Sequence, residues 1–208
     1  MCLFLLMSGL VACTPGEQVI ESDGSFIDSR DSQLYHYVNI GTQSWMLENL
    51  SYADDDSSGS WCFNDEPGYC EKYGRLYTWD AARSACPQGW HLPADGEWKQ
   101  MEKFLGMDAA EADSAGWRES GSVGLQIKAG WDWNSAGNGD NNARFTALPG
   151  GFRSAEGQYY YLYDLTTFWT ATYSSETHAW GRAMIYYSPG VYRWKYVKAE
   201  GYSIRCVK

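Results

Sequence analysis

The chain has 208 residues and a formal net charge of −10, and it carries 11 Trp, 16 Tyr and 22 Gly. That length suffices for one domain with a real core, and the composition fits a loop-rich β or α+β domain rather than a helical bundle, which needs more Leu and Ala at helical spacing. An acidic surface without a basic cluster repels phosphate backbones, which argues against nucleic acid as a partner.

Residues 3–12 form a short apolar run without charge. It is too short to span a bilayer and fits the hydrophobic region of a secretory signal, predicted over residues 1–12. The run ends Leu10-Val11-Ala12-Cys13, which resembles the lipobox of bacterial lipoproteins, with Cys13 as the acylated residue. The alternative is an ordinary secretory signal with an incidental cysteine; both export the chain. The expected address is the outer membrane or cell surface, with membrane contact through the lipid anchor only. Residues 13–32 are polar and are predicted to be a tether, and residues 33–208 the folded domain.

Export leaves Cys62, Cys70, Cys86 and Cys206 in an oxidising compartment, where two disulfides have three possible connectivities. Cys62 and Cys70 flank a short loop containing Pro67-Gly68, so a local pair is natural and leaves Cys86 with Cys206. A bridge across so long a loop contributes about 4–5 kcal/mol in the chain-entropy model. There is no Cys-x-x-Cys pair or Cys/His cluster to hold zinc.

Residues 35–40 alternate as a strand, Gly41-Thr42 turns the chain, and residues 43–47 fit the return strand. Residues 54–59 are predicted to be an exposed loop. The first helix is expected over residues 77–85 with Thr78 as N-cap; Trp79, Ala82, Arg83 and Cys86 share a face. Asp95 is the expected cap of a second helix reaching Leu105, with Trp98, Met101, Phe104 and Leu105 as its apolar stripe and Gly106 as its stop. Residues 109–142 read as loop, with residues 125–128 and 131–133 as small ordered islands in it. Short strands are expected at 145–148, 151–153, 167–172, 179–187, 191–197 and 202–207.

Within the loop, DWNSAGNGDNN at residues 132–142 concentrates oxygen donors. Asp132, Asn134 and Gly137 stand at EF-hand offsets, but Ala143 occupies the place of the closing bidentate Glu, so an EF-hand fails. A different calcium-stabilised loop, with Asp132, Asn134, Asp140 and Asn142 as donors, is the one cofactor expectation. Its alternative is an Asn/Gly turn whose side chains bond their own backbone. Of His36, His91 and His178, His91 lies in the turn before the second helix and is expected to be a buried structural residue. No nucleophile, base and orienter occur as a set, so no enzyme is expected.

The C-terminal half is rich in aromatic residues. Alternation along residues 191–197 predicts Tyr192, Trp194 and Tyr196 on one face, with Val191, Arg193, Lys195 and Val197 on the other. With Tyr159 and Tyr161 they form the candidate ligand-binding set, because flat rings with polar rims suit both sugar stacking and protein contacts. The alternative is that these rings are simply core.

Several stretches together resemble the Fibrobacter succinogenes major paralogous domain family. They are QSWMLENL at 43–50, YGRLYTW at 73–79, CPQGWHLP at 86–93, Glu97-Trp98, FTALPGGFR at 145–153, FWT at 168–170 and GYSIRCVK at 201–208. They run in order from about residue 31 to the C-terminus. The family looks related to C-type-lectin-like and formylglycine-generating-enzyme-like folds. In lectin-like domains a W-x-x-A-x-x-x-C helix precedes a Gly-x-His-Leu turn; Trp79, Ala82 and Cys86, then residues 89–92, match. The resemblance implies that Cys86 pairs with Cys206 in the last strand. It implies a C-type-lectin-like α+β domain, with two short helices on a small, twisted, mainly antiparallel sheet. The sugar-coordinating Glu-Pro-Asn and Trp-Asn-Asp motifs of calcium-dependent lectins are absent. So are the histidine cluster and paired-cysteine copper site of the related enzymes. The expected role is non-catalytic recognition, outside the cell, of a glycan or an extracellular protein. The alternatives are an adhesion or assembly subunit, or an enzyme of unrecognised type.

Overall fold

A computed structural model describes residues 21–53 and 59–208. The signal segment, Cys13, the start of the tether and residues 54–58 of the predicted loop lie outside the described residues. The fold is mixed α+β and mainly β. The described residues form five short α-helices and three sheets, where two helices and one small sheet were expected.

The first sheet has the order β1 (Gly24–Ile27), β2 (Leu34–Ile40), β3 (Gln43–Met46), all antiparallel. The predicted hairpin is present, and Gly41 takes φ 64° in its turn. β1 lies in the stretch expected to be tether. Phe26 stacks on Trp90 at 4.8 Å and on Tyr35 at 5.8 Å, and Asp28 is buried against Arg30. One aromatic ring among polar residues is too sparse a pattern to mark a strand, but the sheet edge and Trp90 complete it.

β4 (Ser60–Trp61) pairs with β5 (Leu76–Tyr77), and between them lies α1 (Pro67–Tyr73). Pro67 was expected in a turn; it sits in the first turn of α1 instead, where its missing N–H costs no helical hydrogen bond. Both expected disulfides, Cys62–Cys70 and Cys86–Cys206, are formed. α2 (Trp79–Ala85) starts where Thr78 Oγ1 accepts the Ala81 N–H at 3.4 Å, and it buries Trp79, Ala82 and Ala85.

α3 (Asp95–Phe104) begins one residue earlier than expected. Ala94 is the cap position, and Glu97 reaches back to accept the Ala94 N–H at 2.7 Å. Asp95 is therefore not the cap; its carboxylate points into the protein. Trp98 and Met101 are fully buried, but Phe104 is 65 % exposed, because the helix turns that position away from the sheet. The span expected to be loop holds α4 (Ala109–Asp113), β6 (Gly116–Arg118) and α5 (Val123–Ile127). Each is too short to show a period.

The main sheet has six strands in the order β6, β11 (Val191–Val197), β10 (His178–Ile185), β9 (Leu165–Tyr173), β7 (Gly150–Arg153), β8 (Tyr159–Leu162). It is antiparallel except where β7 meets β9 at Gly151 and Thr166. Residues 145–148 do not form the expected strand; their β-pairing is a single isolated bridge, Lys128 to Ala147. The last segment is likewise not a continuous strand. Residues 201–207 are all buried and thread between sheets, bridging Tyr202 to Tyr77, Ser203 to Phe168, and Val207 to both Trp45 and His91.

The core is aromatic, as the composition requires. Trp45, Trp98, Phe145 and Phe168 form one cluster, with Trp45 edge-on to Trp98 at 5.0 Å. Two buried indoles donate to backbone carbonyls: Trp79 Nε1 to Thr170 O at 2.8 Å and Trp169 Nε1 to Tyr77 O at 2.7 Å. Between α3 and the sheet lies a buried ion network. Arg118 donates twice to Glu102 at 2.6 Å, Arg182 Nε donates to Glu102 at 2.8 Å, and Arg193 and Arg182 both hold Asp95 at 2.8 Å. Among the described residues, no helix is long and apolar enough to cross a membrane.

Candidate functional site

β11 alternates as predicted over its first four residues. Val191 and Arg193 point inward and are buried, whereas Tyr192 and Trp194 face outward. β6 adds Trp117, placed opposite Tyr192 by the strand register. The three rings form a row: Trp117 to Tyr192 is 5.1 Å and Tyr192 to Trp194 is 5.7 Å, the latter pair near-parallel at 26°. Trp117 is 41 % and Trp194 46 % exposed. Beside the row, the neighbouring strand β10 supplies the small Gly181 and Ala183, with the larger Ile185 at its end. The result is a shallow groove of about 350 Å³ lined by Trp117, Leu165, Ala183, Ile185, Tyr192 and Tyr196.

Tyr196 plays a different part from the one expected. Its ring lies over Gly181, where a Cβ would approach to 2.8 Å, and it packs edge-on against Trp169 and Tyr202. Burial pushes its hydroxyl pKa far up. Tyr196 is thus an end wall of the groove and not part of the exposed row. Trp117 was missed because it stands in a three-residue strand inside a stretch without period. Its pairing with β11 is visible only in three dimensions.

Tyr159 and Tyr161 belong to β8, at the far end of the same sheet from β11, so they are not brought together with Tyr192 and Trp194. Tyr159 leans on Phe63 at 5.2 Å and its hydroxyl donates to Asp65 at 2.5 Å. Tyr161 is 57 % exposed at φ 60° and stacks on Phe152 at 6.0 Å. These rings cap the sheet edge as a separate cluster.

Three of the four expected oxygen donors of the 132–142 loop, Asp132, Asn134 and Asp140, are turned to protein partners. Asp132 pairs with Lys72 at 2.7 Å and accepts from the Tyr73 hydroxyl; Asn134 donates to Asp164 at 2.8 Å; Asp140 accepts the Asn142 N–H at 3.0 Å. Asn142 itself is exposed. No group of three or more His, Cys, Asp or Glu side chains that could hold a metal occurs among the described residues. A cation of the chain's own lies beside the loop. The buried Lys128 ammonium donates to the backbone carbonyls of Ile185, Tyr186 and Ser188 at 3.1–3.4 Å, and burial draws its pKa down to about 8.

A cavity of about 540 Å³ was not anticipated. It lies between the end of β3, the C-terminal half of α1 and the 130–148 segment. Glu48, Glu71, Asp140 and Trp131 are among its walls. Its two cations are already committed: Lys72 to Asp132, and Arg144 to Asp23 in a two-pronged pair at 2.9 and 3.1 Å. Three residues of this wall, Asn141, Arg144 and Thr146, hold positive φ, and Asn141 braces Thr146 through two hydrogen bonds. Such backbone persists only where its surroundings enforce it. These residues come from three distant stretches, which is why their shared cavity has no signature in the sequence.

His91 also departs from expectation. Its ring is exposed and meets Glu97 at 2.7 Å, whereas its backbone N–H and C=O pair with Val207. The structural part is played by the main chain of the turn.

Set against known proteins, residues 38–208 match the profile of the family described as the Fibrobacter succinogenes major domain. No curated protein and no solved structure matches the chain.

Proposed function

The chain belongs to the Fibrobacter succinogenes major domain family, and from that premise we propose that it is an exported, lipid-anchored recognition protein that binds a glycan without catalysis. The observation that carries this reading is the exposed row Trp117, Tyr192 and Trp194 beside a shallow groove whose other walls include Leu165, Ala183 and Ile185. Aromatic faces match the C–H faces of sugar rings, and the tyrosine hydroxyl adds a polar rim. An open, shallow groove suits a polymer lying across it better than an enclosed small molecule. A lectin-like architecture is part of this reading; the helical Trp79, Ala82, Cys86 spacing and the Cys86–Cys206 bridge support it.

The test is a glycan array and pull-down on insoluble cell-wall and plant polysaccharides, with wild type, Trp117→Ala and Trp194→Ala side by side. Retention of wild type that both variants lose supports the proposal. Retention unchanged in both variants overturns the site. No carbohydrate binding, together with a specific protein partner, moves the role to adhesion or assembly. Anchoring is tested separately: Cys13→Ser should abolish incorporation of labelled palmitate, and undiminished labelling refutes a lipid on Cys13. The cavity favours a second reading, a compact polar ligand held against Trp131. Trp131→Ala would abolish that binding and leave polysaccharide retention intact.

A further inference from the structure

The Cys62–Cys70 bridge has a neighbour that the Cys86–Cys206 bridge lacks. Arg75 Nη1 lies 3.7 Å from Cys62 Sγ and 3.6 Å from Cys70 Sγ. The remaining guanidinium hydrogen bonds go to Ser60, Nε to its hydroxyl at 3.0 Å and Nη2 to its carbonyl at 2.9 Å. No carboxylate pairs with Arg75 among the described residues. A full positive charge is therefore held against the two sulfurs. Such a charge favours the thiolate, both as product and as leaving group. Each bridge joins a half-buried cysteine, Cys62 or Cys86, to a buried one, so access alone does not separate them; Cys70 also lines the large cavity. In the other bridge Cys206 is fully buried, and no cation contacts either sulfur among the described residues.

We propose that Cys62–Cys70 is a site of reversible thiol–disulfide exchange with an external dithiol, with Arg75 as the group that stabilises the expelled thiolate. A thiolate of the dithiol attacks Cys62 Sγ; the Cys62–Cys70 bond breaks, and Cys70 leaves as a thiolate beside Arg75 Nη1. The second thiol of the reductant then attacks its own sulfur in the mixed disulfide and releases Cys62. Two electrons pass to the protein, which gains two thiols, and the dithiol becomes a disulfide. The structural consequence is local. α1 loses its covalent tie to β4, and with it the cavity wall that carries Glu71 and Lys72 is released.

The test equilibrates the intact protein with mixtures of reduced and oxidised dithiothreitol and reads each bridge by alkylation and peptide mass. In wild type, Cys62–Cys70 should be half-reduced at a ratio at least about tenfold milder than Cys86–Cys206 requires. Arg75→Met should shift that midpoint about tenfold toward the disulfide, and Arg75→Lys should restore part of it. Because Arg75→Met also loses its bonds to Ser60, a second reading needs no variant: the pH dependence of iodoacetamide alkylation at Cys70 in reduced wild type. A thiol titrating below its ordinary value of about 8.5 supports the proposal. Titration at or above that value overturns it, as does a midpoint unmoved by Arg75→Met or reduction of Cys86–Cys206 first.

Discussion

Trp194 rests on Tyr192 with nearly half its surface open, so its ring contributes little to the core and much to whatever lies on the sheet. Trp194→Ala should weaken polysaccharide affinity about tenfold, or ~1.4 kcal/mol, and change unfolding stability by no more than about 0.5 kcal/mol, as surface substitutions usually do. Affinity electrophoresis and urea unfolding read the two effects separately. Glu102 is the opposite kind of residue: fully buried, it faces Arg118 and Arg182. Glu102→Gln leaves the buried Arg118 guanidinium without its anion and Arg182 with Asp95 alone, and should cost about 3–5 kcal/mol. A loss under 1 kcal/mol in urea unfolding would show that the network is not needed to hold α3 on the sheet.

Elements with a clear period were legible in the sequence. β2, β3, α2 and α3 follow their alternation or helical spacing, and β9, β10 and β11 their β-branched and aromatic runs. α1 opens on a Pro-Gly pair that reads as a turn, and α4, α5 and β6 span five residues or fewer without a repeat of their own and are fixed by contacts from elsewhere. α5 shows how: Gly124 sits where a Cβ would meet Gly190 O at 2.2 Å and Pro189 O at 2.6 Å. The helix is pressed against the β10–β11 turn, a fact absent from its own sequence. Gly124→Ala should therefore destabilise the fold by about 1–3 kcal/mol, seen as a lowered Tm with the disulfides intact. Of the candidate site, Tyr192 and Trp194 were legible by alternation. Tyr196 was misjudged because alternation cannot show that Gly181 lets a ring fold down onto the sheet.

For the molecule as a whole, the buried carboxylates set the acid limit of stability. Burial pushes Asp95 up, but the hydrogen bonds from Arg193 and the charge of Arg182 outweigh it and hold it well below the ordinary carboxylate range. Burial acts the same way on Glu102, and Arg182 and Arg118 outweigh it there too. Both native pKa values are depressed. The stability they contribute is fully present above the ordinary values of 3.8 and 4.5, and it is lost as pH falls below them. Thermal scans should give a flat Tm from pH 6 to 8 and a falling one below about pH 4. A Tm that rises on acidification would contradict this sign. The same whole-molecule view places the proposed binding face and the exchangeable bridge on different elements. β6 and β11 carry the first, and α1 with its flanks carries the second, so each can be disabled without the other.

Electrophoresis through gels loaded with single polysaccharides, comparing wild type with the Trp117→Ala, Trp194→Ala double variant, tests the central claim most directly. The account predicts retardation of wild type by at least one polysaccharide, free migration of the variant, and recovery of the polysaccharide at its original length. Equal retardation of both proteins, shortening of the polysaccharide, or free migration of wild type through every gel would contradict it.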